Sequence, residues 1–263
     1  DPLTATFIDV DGDKVTVKVT KGSLSTADFV LVPAGTVGGA QLQVLNFSDD
    51  GLEFQGVNVR ITAKPTTAGG NGFVNVGYLN AAGIDLGAVS IAGDLGQVDA
   101  GNAQRPAAAI KSLVVQSLGV LGTDTQPPGG SLVSEISGRV GALTVRADIV
   151  GAAVHVQGDS VAANGRIGTL TVGGSIIGGD APESGAILTA GKIGIAKVRG
   201  NIVGGDGDHS GVVHADDQQD AGERQVESNE CPCENHLRGA RNAGHAFAGE
   251  HQRKDHQDLI PYG

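Results

Sequence analysis

Asp9, Asp11 and Asp13 place three carboxylates within the run Asp9-Val10-Asp11-Gly12-Asp13. Hard oxygen donors crowded into a tight turn are the ligand set that Ca2+ takes. The spacing departs from the helix-loop-helix calcium loop. Gly12 precedes the third Asp, and Thr20 stands at the twelfth position, where that loop needs a bidentate Glu. The plainer reading is a solvated hairpin turn. If the cluster holds a cofactor, it is Ca2+ on Asp9, Asp11 and Asp13.

Other residue types capable of chemistry are scattered. Gly204-Gly205-Asp206-Gly207-Asp208-His209 is close to the G-G-x-G-x-D of calcium-binding nonapeptide repeats, but His209 replaces the final Asp and the local period is not nine. A Gly-rich corner turn is the plainer reading. Cys231-Pro232-Cys233 has one intervening residue, short of zinc spacing, although His236, His245, His251 and His256 lie nearby. Lys197 and Arg199 share an outward strand face, with Arg146 in the equivalent column. β-Helix polysaccharide lyases use Asp, Lys and Arg on such a face. Here the matching position runs Arg146, Gly173, Arg199, and no acidic pair repeats beside it. His155 and His214 read as corner or surface residues. There is no G-x-S-x-G, P-loop or dinucleotide fingerprint. No catalytic residue is assigned.

The elements that carry these residues come from a tandem repeat. Residues 165–190 and 191–216 align without a gap, sharing Gly165/Gly191, Ile167/Ile193, Val172/Val198, Ile176/Ile202 and Asp180/Asp206 among others. A fixed period in the twenties marks a repeat architecture. Within one repeat, Gly168-Thr169-Leu170-Thr171-Val172 alternates as a half-buried strand does. Ser175-Ile176-Ile177 and Ala186-Ile187-Leu188 are two further short runs, separated by Gly-rich corners. Three strands per repeat make one coil of a parallel β-solenoid. A helix is excluded, because each Gly costs about 1 kcal/mol there and β-branched residues fill the runs.

The same pattern extends backwards through residues 138–151, 110–122 and 86–96. It predicts inward columns Val89/Leu113/Leu143/Leu170/Ala196 and Ile91/Val115/Val145/Val172/Val198. The fold class is therefore all-β: a right-handed parallel β-helix or solenoid with an N-terminal β cap and an irregular C-terminal tail. Residues 1–62 form the cap, with Asp11-Gly12 as a hairpin signal. Residues 63–216 carry the repeats of roughly 24–30 residues. Looser stretches at 99–109 and 122–131 are insertions at corners. Residues 217–263 break the pattern. Either a polar, disordered tail follows the domain, or the reading frame shifts near Asp217.

Composition bounds the rest. The 263 residues include 43 Gly but no Met or Trp, so the core is built of Val, Ile, Leu and Ala, and the chain reads as a fragment or a processed product. The net charge of −11 argues against nucleic-acid binding, which needs clustered Lys and Arg. No apolar run approaches the ~20 residues of a membrane span. Both Cys lie in the tail, so there is no disulfide framework.

The I-G-x-L-x-V-x-G-x-I-x-G-G coils and the Phe7-Ile8-Asp9-Val10-Asp11-Gly12-Asp13-Lys14-Val15-Thr16-Val17 start resemble large, repetitive bacterial surface or secreted proteins of β-solenoid or adhesin-like type. The resemblance covers residues 5–216. It implies a secreted or cell-surface location, and it assigns no site residue. Three functions are open: a non-catalytic extracellular structural or adhesion-type segment, a polysaccharide-active β-helix enzyme, or a calcium-stabilised binding module. Expected partners are cell-surface polysaccharide or other copies of the chain.

Overall fold

The computed structural model describes residues 1–35, 38–102, 107–158 and 165–216, and the backbone of 226–227. The proposed tail and the Cys231/Cys233 group with its histidines lie outside the described residues, apart from the strand at Val226–Glu227.

The alternating runs form strands, as their period requires. β1 (Thr4–Ile8) and β2 (Lys14–Val19) pair antiparallel. β3 (Phe29–Ala34) and β4 (Gly39–Asn46) form a second antiparallel pair. β5 (Val57–Lys64) is antiparallel to β2 on one side and parallel on the other to β7 (Leu86–Ile91). β4 is likewise parallel to β6 (Val76–Ala82). Parallel pairing thus begins inside the first 62 residues.

From β7 onward every inter-strand pairing is parallel. β8 (Asp94–Gly101) closes the coil that β7 opens. The next coils are β9 (Ile110–Val115), β10 (Ser117–Leu118) and β11 (Val133–Ser137), then β12 (Val140–Val145), β13 (Ile149–Val150) and β14 (Ala153–Gln157). They are followed by β15 (Ile167–Val172), β16 (Ile176–Ile177) and β17 (Ala186–Thr189), then β18 (Ile193–Val198), β19 (Ile202–Val203) and β20 (Val212–Ala215). β21 (Val226–Glu227) adds a parallel rung to β18.

The first strand of every coil stacks in one sheet, ordered β1-β2-β5-β7-β9-β12-β15-β18-β21. The second and third strands share the other sheet. They join there because β8 runs unbroken where later coils are split at a corner: its start pairs with β10 and its end with β11. Residues 99–101, expected to open an insertion, are the end of that strand.

The predicted columns stand in register. Leu113, Leu143, Leu170 and Ala196 are successive partners, as are Val115, Val145, Val172 and Val198. Leu170 and Val172 are fully buried, while Thr169 and Thr171 between them are half-buried on the outside. Each buried Leu or Val is worth about 1.5–3 kcal/mol of transfer free energy, collected only when neighbouring rungs are present. Gly168 is required by close approach, since a Cβ there would run into the Gly141 carbonyl one rung away.

The insertion at 119–132 does not hang free. It turns through a short 3-10 helix at Gly122–Thr125. Gln126 is buried and donates from Nε2 to the carbonyls of Gly77 (2.9 Å) and Ser131 (2.6 Å), which fixes the loop against β6.

Candidate metal centre

The β1–β2 register ends at Ile8 opposite Lys14, so residues 9–13 are the hairpin connection. The Asp9 amide donates to the Asp13 carbonyl (3.0 Å), and Asp9 Oδ1 accepts from the amides of Gly12 (3.2 Å) and Asp13 (2.8 Å). This much is a tight turn that bonds to itself, as sequence predicts.

The turn is covered, not solvated. The stretch from Pro65 to Gly72 lies across it. Thr66 Oγ1 donates to the Gly12 carbonyl (2.7 Å), and the amides of Asn71 (2.9 Å) and Gly72 (2.8 Å) donate to Asp13 Oδ2. Gly70 packs so closely that a Cβ there would overlap the Asp13 carboxylate. Asp9 is left 6% exposed and Asp13 0%. The solvated-turn reading therefore fails at these two residues.

One carboxylate oxygen from each of Asp9, Asp11 and Asp13 lies within 4.8 Å of the others. The Oδ1 atoms of Asp11 and Asp13 are buried without a hydrogen-bond partner. Burial, reinforced by the neighbouring Asp11 carboxyl, pushes the Asp9 carboxyl from its ordinary 3.8 up to about 6. Buried carboxylates must be paired, protonated or bound to a cation, because an isolated charge out of water costs several kcal/mol or more. The donor set is all oxygen, with no imidazole or thiolate among the three groups. That is the chemistry of Ca2+ rather than of a transition metal.

Other buried acids are satisfied by hydrogen bonds. Asp94 accepts from Ser117 Oγ (2.6 Å) and from the amides of Val120 and Leu121 (3.2 Å each), and burial raises its pKa. Asp85 accepts from Gln55 Nε2 (2.6 Å) and the Asn102 amide (3.3 Å). Asp28 completes a capping box with Ser25. These acids bracket corners, and only the 9–13 group leaves buried carboxylate oxygens unpaired among the described residues.

The remaining candidates resolve into scaffold. Gly204–His209 is a corner stacked on the preceding one: Ser184 Oγ accepts from the Gly179 amide (2.7 Å), and Ser210 Oγ accepts from the Gly205 amide (2.8 Å). Asp206 and Asp208 are exposed. His155 lies on β14 and His214 on β20, in the column Glu135/His155/Leu188/His214. His155 Nδ1 is 2.9 Å from Glu135 Oε1, and its Nε2 is 3.2 Å from Glu183 Oε2. This bridge occurs in one coil, and Leu188 interrupts it in the next. Lys197 and Arg199 are exposed at the end of β18, and Arg146 follows β12 at the equivalent register.

Sequence reasoning found the three Asp residues but missed the lid formed by 65–72. Its only local signal is the turn-forming composition of Pro65 and the glycines at 69, 70 and 72. No family model, curated protein or solved structure matches the chain. No helix among the described residues is long and apolar enough to cross a membrane.

Proposed function

We propose that this chain is a non-catalytic structural or adhesion-type β-solenoid segment of a secreted or cell-surface protein, pinned near its N-terminus by Ca2+. The solenoid is right-handed, following the strong preference of parallel crossovers. The antiparallel strands β1–β2 and β3–β4 act as its cap, covering the first rungs so that no bare parallel edge is presented.

One observation carries the calcium reading: Asp11 and Asp13 each keep a buried carboxylate oxygen without a hydrogen-bond partner, and both residues belong to one cluster with Asp9. Bound Ca2+ would neutralise that charge and tie the hairpin to the 65–72 segment. Weak, millimolar-range affinity suits extracellular modules. The non-catalytic reading rests on the coils, whose outward columns change from rung to rung and repeat no reactive pair. The sheet that carries Asp99, Glu135 and His155 has no Lys or Arg on its strands, so the acid-plus-Arg face of a polysaccharide lyase is missing there.

Thermal unfolding in EDTA and in 10 mM Ca2+ tests this. With a dissociation constant near 1 mM, about 1.4 kcal/mol of stabilisation is expected at 10 mM, or roughly 3–5 °C in a chain of this size. Asp11→Asn should keep the fold and lose the calcium response. A parent and an Asp11→Asn protein with identical calcium titrations would sink the site.

A further inference from the structure

The charges of this acidic chain are sorted between its two sheets. Every Lys and Arg among the described residues lies on a strand of the β1-to-β21 sheet or within two residues of a strand end. The strands of that sheet from β1 to β18 contain no Asp or Glu, and the strands of the other sheet contain no Lys or Arg. A net charge of −11 thus conceals one cationic face.

The face is densest at β2 and β5. Lys14 stands directly opposite Lys64, and Lys18 opposite Arg60. All four are exposed, and none pairs with a carboxylate among the described residues. Like charges directly opposite one another destabilise a sheet. Folding does not ask for this arrangement, because Thr or Ser would fill the same outward positions. Between the pairs, Thr16, Lys18, Arg60 and Thr62 line an open depression. From Lys18 and Arg60 the outward column continues through Ser90, Val114, Thr144 and Thr171 to Lys197. The middle rungs are small and low. Arg139 and Lys192 lie exposed just before β12 and β18, and Arg146 and Arg199 just after them. The result is a shallow track with cations at its head and along both margins.

From this segregation we propose that the outer face of the first-strand sheet binds a linear polyanionic glycan, carboxylated or sulfated. The glycan runs across the strands and is held mainly by charge. Rungs are about 4.8 Å apart, and Lys14 and Lys18 are about 13 Å apart along the strand, so successive anionic groups of an extended chain meet cations in either direction. Thr16 and Thr62 in the depression offer hydroxyls to sugar oxygens. The glycan class rests on the surface-adhesion reading above, whereas the cationic track itself does not depend on the calcium site.

The test is binding of the full chain to heparin and to polygalacturonate, with neutral dextran as control, at 50 and 200 mM salt. Binding to both polyanions and not to dextran is expected, weakening with salt as bound counterions are released. Lys18→Gln/Arg60→Gln should weaken binding about tenfold and flatten the salt dependence by the loss of two contacts. It should melt no lower than the parent, because it removes a like-charge pair. That combination separates a binding role from a structural one. Should the double variant fail to fold, Lys14→Ala/Lys64→Ala provides the same comparison at the other pair. Undiminished binding by the folded variants, retention on dextran, or tighter binding of duplex DNA than of either glycan would overturn the proposal. So would polyanion-independent self-association that buries this face. Cleavage of the bound glycan would instead leave the track standing and sink the non-catalytic reading.

Discussion

The N-terminal 75 residues and the coils from β12 to β20 are both β-structure, yet they keep their order by different means. In the coils the work is done by repetition. Ile, Leu and Val stand above the same residue types in the next rung, and the polar groups are mostly backbone. In the N-terminal region, strands reverse direction and nothing repeats. Order comes from carboxylates gripping backbone amides across long sequence separations, as Asp13 grips Asn71 and Gly72. Phe47 and Phe54, stacked with ring centroids 4.4 Å apart, are fully buried in the core there. A repeat corrects a local error by having neighbours of the same kind. A non-repeating end has no such redundancy, so it relies on a few specific polar contacts.

The largest expected effect falls on the repeats. Val172 is fully buried between Val145 and Val198. Val172→Asp places an unpaired charge in that column, at a cost of several kcal/mol against a typical total of ~5–15, and cooperative folding should be lost. Thr171→Asp lies one residue away, on the outside, beside Lys197. It should change stability by less than about 0.5 kcal/mol. Urea unfolding followed by circular dichroism decides the matter, and equal damage from both would invert the assignment of faces.

A smaller, sharper effect belongs to the N-terminal region. Asp13→Ala strands two amides under the 65–72 lid and should cost about 2 kcal/mol even in EDTA. Asp11→Ala removes a carboxylate that accepts no hydrogen bond at its buried Oδ1, so in EDTA it should be neutral or slightly stabilising. If the two variants unfold alike in EDTA, the distinction between a gripped and an orphaned carboxylate has no energetic meaning.

The same contrast explains what could be read before the fold was known. The inward columns follow from alternation within fifteen or so residues and from a constant period, both local properties, and from Leu113 and Val115 onward the ladder reproduces them residue for residue. The Asp cluster was visible as a local run, but its burial was not. The cover arrives from Pro65–Gly72, more than fifty residues along, and no pattern in residues 9–13 announces it. The cationic track was hidden for a related reason. Lys18, Arg60 and Lys197 are far apart in sequence and become one column only when the rungs are stacked. Net charge averages over both faces, so it pointed away from nucleic acid and gave no sign of a cationic face. β8 was misread at its end because its apolar and polar alternation continues through Asp99 while the corner glycine is delayed to Gly101.

The smallest effect is also the most diagnostic of the N-terminal site. In the absence of divalent ions, the Asp9 carboxyl sits raised to about 6, against an ordinary value of 3.8. The folded chain then holds that proton more tightly than the unfolded chain does. The resulting stability is fully present below about pH 3.8 and is lost as the pH rises through about 6. In EDTA, stability attributable to this group should therefore fall between pH 4 and pH 6.5, opposite to the trend of a salt-bridged carboxylate. Asp9→Asn, which cannot titrate, should remove that slope while Thr171→Asp leaves it in place. Calcium competes with the proton for the same oxygens, so its stabilising effect should be greatest above pH 6 and vanish near pH 4.5. The comparison is read as Tm against pH, with and without Ca2+, in the parent and in Asp9→Asn. A parent curve that matches the Asp9→Asn curve in EDTA would mean that Asp9 is ionised in the metal-free turn, and that the hairpin tolerates its three carboxylates without a counterion.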